Sequence, residues 1–409
     1  MKAWWLLRGL AVIVGGAFLF IGPASVNAQK GKPIKIGIAD VLGGGGAVYA
    51  LPGIAGAELA VAEINLAGGV LGRPLKLIVR DTQIKPDVAV RVARELILRD
   101  EVDFLMGSVG SHIVLAISKV AKEQKKIYMV HMGKSEKATV EEWHPYIFRV
   151  GGNTGMIGRA AAMQAAKKPW KKYYLIGPDY EFGRRMVEDF VTKLKELRPD
   201  VEIVGEAWPK LFTGDFSAYI TAMLRAQPDA VYTSLWGGDE INFIKQAIPY
   251  GFFDKTNLIT IGDLDVLVPL GAETPTKGLW LFTWYSFTYP KTDAHSAWVR
   301  EFKDKTGQYP SSGVMWGYMA IKFLAAATKQ AGTTDSEKVR EALAGMTLDS
   351  VIGPITIRKV DHEAIWPNWW GRSTRSDEYP FAVMSDVVLV PGSEVIMPAD
   401  QVLKMREKK

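Results

Sequence analysis

The segment of this sequence best suited to chemistry is Gly107-Ser108-Val109-Gly110-Ser111, a glycine-rich turn between a short apolar run and a helical pattern. Glycines let a ligand come close to the backbone. The helix that follows offers free N–H groups and the positive end of its dipole, which suits an anion. Other chemical signatures fail on spacing. Gly43 to Gly46 follows a first strand, but a dinucleotide fingerprint begun at Gly43 requires glycine where Val48 stands, and one begun at Gly44 requires it at Tyr49. Gly133-Lys134-Ser135 has the form of the end of a phosphate loop, yet the earlier glycine would fall at Tyr128. No serine lies in G-x-S-x-G. His112, His131, His144, His295 and His362 never stand four residues apart, and His362-Glu363 lacks the second histidine of a zinc-protease helix. The expectation is a protein that is not an enzyme and holds no cofactor and no metal.

The first residues set the compartment. Met1 to Arg8 carries Lys2 and Arg8 and no acid, Leu10 to Ile21 is almost wholly apolar, and Val26-Asn27-Ala28 puts small residues at a cleavage spacing. This reads as a secretory signal peptide, residues 1–28, too short to span a bilayer comfortably. The sequence has no cysteine, which excludes disulfides, thiol catalysis and a cysteine-borne lipid anchor. The expected location is therefore the periplasm, in soluble form. Removing Lys2 and Arg8 lowers the net charge from +6 to +4. Basic residues cluster only at Lys167-Lys168 and Lys171-Lys172, so no nucleic-acid partner is expected.

Apolar periodicity supplies the elements that would position a site. Ile34 to Ala39 reads as a buried strand, Pro52 to Asn65 as a helix, Leu75 to Val79 as a strand and Pro86 to Arg99 as a helix. Asp103 to Met106, His112 to Glu123 and Ile127 to Val130 continue the alternation. It restarts after Arg149 and runs from a strand at Tyr173 to Ile176 through one at Leu258 to Ile261. Gly278 to Phe287, Val351 to Arg358 and Phe381 to Leu389 read as later strands; Asp293 to Thr306, Gly313 to Gln330 and Ser336 to Ala344 read as helices. The alternation predicts an α/β protein with two Rossmann-like lobes, parallel sheets and a three-strand hinge. The passages would lie near Arg149 to Asn153, Trp280 to Tyr285 and Met346 to Gly353. Residues 33–150 with 284–346 would form the first lobe, and 151–283 with 347–409 the second. Ligands in such sheets sit beyond the carboxyl ends of the strands, here in a cleft between lobes.

Ordered segments resemble one family. Ala55 to Gly69 resembles the first helix of periplasmic binding proteins of the branched-chain amino-acid type. Gly72 to Ile97 is similar to their second strand, Asp-containing loop and second helix. Gly214 to Ala247 is similar to the matching stretch of their second lobe, and Val351 to Ile357 to their last hinge strand. Asp361 to Arg375 is longer and richer in tryptophan than the family pattern. The resemblance implies a monomeric receptor that closes over a small molecule and delivers it to a membrane ABC permease. It also implies a ligand carboxylate held by Ser111 and by Ser135 on the second anchor loop. Lys134 stands where a small residue is expected, and either adds a charge for an anion or points to solvent. Tyr49 aligns with an aromatic lid; Phe182 and Trp236 stand where members place tyrosines. The ammonium-binding acid falls on Asp263, with Asp265 as runner-up. Two ligands remain open: an amino acid with an apolar or aromatic side chain, or an aromatic carboxylate without an amine. A sensory protein of the same fold and an exported enzyme are the alternatives.

Overall fold

The computed structural model describes residues 31–407. The expected signal peptide lies outside the described residues. The chain opens with β1 (Ile34–Asp40), α1 (Ala47–Leu66), β2 (Leu75–Asp81), α2 (Pro86–Leu98), β3 (Phe104–Gly107), α3 (Ser111–Glu123), β4 (Tyr128–Val130) and β5 (Ile147–Arg149). The five strands form one parallel sheet in the order β2-β1-β3-β4-β5. Helices α2 and α3 form where the apolar period said they would. In α2, Pro86 starts the helix, Asp87 meets the dipole in the first turn, and Val92, Leu96 and Ile97 are buried.

The second sheet follows: α4 (Thr154–Ala165), β6 (Lys172–Ile176), α5 (Glu181–Leu197), β7 (Glu202–Ala207), α6 (Ser217–Ala226), β8 (Ala230–Thr233), α7 (Gly237–Ala247), α8 (Phe252–Lys255), β9 (Asn257–Ile261), α9 (Leu264–Leu270) and β10 (Leu279–Thr283). Helices α10 (Asp293–Thr306), α11 (Ser312–Ala331) and α12 (Ser336–Leu343) come next, then the short hairpin β11 (Thr347–Leu348) and β12 (Ile355–Thr356). The chain ends with β13 (Asn368–Thr374), β14 (Val383–Val390), α13 (Gly392–Val395) and α14 (Ala399–Glu407). The order is β14-β13-β10-β9-β8-β6-β7, with β13 and β14 antiparallel to their neighbours and the rest parallel.

The expected α/β architecture of two parallel-sheet lobes is present. Several elements differ from the sequence reading. Helix α4 was not expected, because residues 154–165 are buried almost all round and leave no polar face for the period to reveal. Helix α1 begins at Ala47 and carries Pro52 inside it, whereas proline read as a helix start. Of Val351 to Arg358 only Ile355–Thr356 pairs as a strand. Strand β13, within the tryptophan-rich stretch, extends the second sheet and pairs with β10.

Three passages of chain connect the sheets: after β5, after β10 and before β13. The last runs past Glu363, which bridges to Arg149 at the end of β5. Helix α11 packs on α1 at very short range. A Cβ on Gly56 would meet the Val314 carbonyl oxygen at 2.0 Å, and one on Gly317 would meet that of Gly53 at 1.9 Å. This contact sets Tyr49, on the first turn of α1, and Trp316, on α11, over the same space.

Candidate functional site

A cavity lies between the sheets, and its walls come from segments that follow strand ends. The first sheet contributes Tyr49 beyond β1, Val109 to Ser111 beyond β3 and Met132 to Lys134 beyond β4. The second contributes Tyr180 and Phe182 beyond β6, Trp236 beyond β8, Ile261 and Asp263 at β9, and Trp284 beyond β10. Trp316 closes the hinge end. Strand ends are where open α/β sheets present ligand sites.

The anion loop is held from below. Oδ1 of buried Asp40 accepts from the Val109 amide at 2.7 Å and the Val41 amide at 2.9 Å. Burial pushes the Asp40 carboxyl up to about 7, and the amide donors oppose that shift. Gly110 is the residue before α3, so Ser111 does not cap its own helix. Instead its hydroxyl oxygen accepts from the Ser135 amide at 3.0 Å, which leaves the hydroxyl proton to donate. The first amides of α3 lack partners within the helix.

Lys134 does not point to solvent. It is 5% exposed and lies 3.3 Å from the centroid of the Trp316 indole, with Trp284 at 5.4 Å. Its ammonium donates to the His131 carbonyl oxygen at 3.2 Å and forms no ion pair among the described residues. Burial, then the Arg149 charge, holds it well below the usual lysine range. Gly151 is required here, since a Cβ on it would meet Trp316 at 2.6 Å and the Lys134 nitrogen at 2.9 Å.

Asp263 faces the same space. Its Oδ1 accepts from the Ser312 hydroxyl at 2.6 Å and from Thr283, while Oδ2 is buried without a partner. Burial raises its carboxyl, and the two hydroxyls pull it back. Asp265 does not line the cavity; it sits in the first turn of α9. Tyr49 and Trp236 meet across the cleft with ring centroids 5.8 Å apart, and Phe212 backs Trp236 at 5.9 Å. The lobes are therefore shut in this structure. Of the seven residues expected from sequence, Tyr49, Ser111, Lys134, Phe182, Trp236 and Asp263 line the cavity. Ser135 does not: its hydroxyl donates across the cleft to Glu181 at 2.6 Å.

A family model described as periplasmic binding protein matches residues 33–376, most of the chain. The chain belongs to that family. Leu/Ile/Val-binding protein homolog 1 of Brucella abortus (strain 2308) is 27% identical over 320 residues, 76% of this chain and 82% of the relative. A periplasmic binding protein from Burkholderia mallei superposes with a TM-score of 0.82 at 25% identity, covering 89% of this chain and 96% of that one. A solute binding protein of an ABC transporter from Rhodopseudomonas palustris BisB5, solved with 3,4-dihydroxybenzoic acid, has a TM-score of 0.80 at 24% identity and covers 88% and 98%.

In this periplasmic binding protein the closed lobes are also bridged outside the cavity. Glu136, fully buried beyond β4, accepts from Arg159 on α4 at 2.7 Å and from Arg185 on α5 at 3.3 Å. The two guanidinium groups hold its carboxyl below the ordinary value despite burial. Sequence reasoning missed Tyr180, Met132, Ile261 and Trp316 as lining residues. Tyr180 and Met132 were findable, because both follow strands whose other loop residues were chosen. Trp316 lies inside a core helix, and no local pattern separates it from packing.

Proposed function

We propose that this protein is a receptor that closes over a small carboxylate-bearing ligand and delivers it to a membrane ABC permease. The ligand class best supported is an amino acid with an apolar or aromatic side chain. The observation that carries this is that Asp263, whose Oδ2 is buried without a partner, lines the same cavity as Ser111 and Lys134. A carboxylate sealed from water needs a cation, and a ligand ammonium supplies one. Tyr49, Phe182, Tyr180 and Trp236 contribute aromatic walls to the same cavity. The second reading, an aromatic carboxylate without an amine, is favoured by those rings together with Lys134. Closure follows from tighter binding in the shut state.

We assign residues 33–150 with 284–346 to the first lobe and 151–283 with 347–409 to the second; the sheet membership of β1–β5 and of β6–β10 with β13 and β14 supports this, as does the packing of α11 on α1. Helix α14 reaches back to the first lobe, where Arg406 donates to the carbonyl oxygens of Val140 and Thr139. We further propose a soluble monomer, exported through residues 1–28 and without a lipid anchor.

A thermal-shift screen of the twenty amino acids and of benzoate and its hydroxylated forms tests the reading, since a ligand of the native state raises the melting temperature by mass action. A stabilising amino acid with an apolar or aromatic side chain is the expected result. Stabilisation by aromatic acids alone would favour the second ligand class, and turnover of any hit would make the protein an enzyme.

A further inference from the structure

The cavity is lined by a lysine that has no ion-pair partner among the described residues. Lys134 is almost fully buried, has one hydrogen bond, and rests against an indole rather than a carboxylate. Its acidic neighbours do not reach it. One oxygen of Glu363 is committed to Arg149 at 3.0 Å and to Thr139 at 2.7 Å, one oxygen of Asp263 is committed to Ser312 and Thr283, and neither acid forms an ion pair with Lys134 among the described residues. An ammonium has three donors, so most of this one's hydrogen-bonding capacity is unused in a site closed to water. Burying a charge in that condition is unfavourable unless something else completes it. The other polar group on this wall is the Ser111 hydroxyl, joined to the same loop through the Ser135 amide. The ammonium only donates, and the Ser111 hydroxyl, which accepts from the Ser135 amide, keeps its proton to donate.

Asp263, on the same lining, is prepared differently. Asp263 already receives two hydroxyl protons on one oxygen, which lowers the cost of its burial and leaves the other oxygen to a ligand cation. The two groups are thus unequal in how much they depend on a ligand.

We propose that Lys134 is the specificity-determining residue of this site: it pairs with the ligand carboxylate and makes that group indispensable, while the ammonium contact at Asp263 is secondary. This rests on the carboxylate-receptor reading above. It adds that removing the carboxylate abolishes binding whereas removing the amine only weakens it.

The test uses wild-type protein with L-phenylalanine, L-phenylalanine amide and 3-phenylpropionate, alongside L-leucine, L-leucinamide and 4-methylpentanoate, by titration calorimetry. The amides are expected to bind on the order of 100-fold more weakly than the amino acids, and the deaminated acids about tenfold more weakly. Lys134→Met should reduce affinity for the amino acids on the order of 100-fold, with Lys134→Arg recovering part of it. The melting temperature of ligand-free Lys134→Met should be unchanged or higher, because an unpaired buried charge is gone. A purely structural lysine would instead lower that melting temperature and spare affinity. Amide and acid of equal affinity, or full affinity in Lys134→Met, overturns the inference and leaves the receptor reading intact. Binding of none of the six probes by the folded protein overturns both.

Discussion

Among the described residues two lysines lie over indoles: Lys134 at 3.3 Å from the centroid of Trp316, and Lys168 at 3.7 Å from that of Trp280. The contact is the same and the surroundings are not. Lys168 sits at the end of α4 on the outer side of the second sheet, half-buried, with Arg372 and Asp386 beside it. Water solvates much of it, so its cation–π contact is worth on the order of 0.5–1 kcal/mol. Lys134 is sealed between lobes with no acid paired to it. The difference teaches that burial without a partner, more than any contact type, marks a group as waiting for a ligand. Asp263 meets the same criterion with the opposite charge.

The comparison can be broken by removing charge from each place. Asp263→Asn keeps the shape and removes the anion; affinity for an amino-acid ligand should fall about tenfold, measured by calorimetry, while affinity for the amine-free acid should change little. An equal loss for both ligands would mean that Asp263 serves packing rather than the ammonium. Ser111→Ala should cost on the order of 1–3 kcal/mol of carboxylate binding without unfolding the protein. Unchanged affinity there would leave the ligand carboxylate to Lys134 and the helix amides alone. Lys168→Met is the control: binding should stay within about twofold, and the melting temperature should shift little, as expected of a solvated surface cation.

Acidity sharpens the same contrast. Burial raises the Asp263 carboxyl above 3.8 in the empty protein, and an ammonium ligand favours its charged form. Ligand binding then releases a proton in the window around that raised value. Affinity for an amine-bearing ligand should fall as pH drops through the window and level off above it. An amine-free acid should show no such fall from Asp263. Identical pH profiles for the two ligands would remove Asp263 from the ammonium contact.

The alternation of strands and helices was legible because half-buried helices keep a polar face; α10 was read from Asp293 to Thr306, and the structure has it at Asp293–Thr306. Helix α4 and strand β13 were not legible, since both are largely buried and lose the periodic contrast that betrays an amphipathic element. The site shows the same division. Ser111, Lys134 and Asp263 follow strands, and the family resemblance together with that position placed them at the cleft, whose lining includes all three. Ser135 also follows a strand, yet its hydroxyl turns to Glu181, a partner distant in sequence. Trp316 becomes a wall of the cavity only because α11 crosses α1 at backbone contact. Such facts live in tertiary packing and leave no local trace.

The most direct measurement is a crystal structure of this protein with the tightest ligand from the screen. The ligand carboxylate should lie about 3 Å from both the Lys134 ammonium and the Ser111 hydroxyl, with the rest of the molecule between Tyr49 and Trp236. A ligand bound elsewhere, or one that turns an apolar end or an amine toward Lys134, would contradict the account.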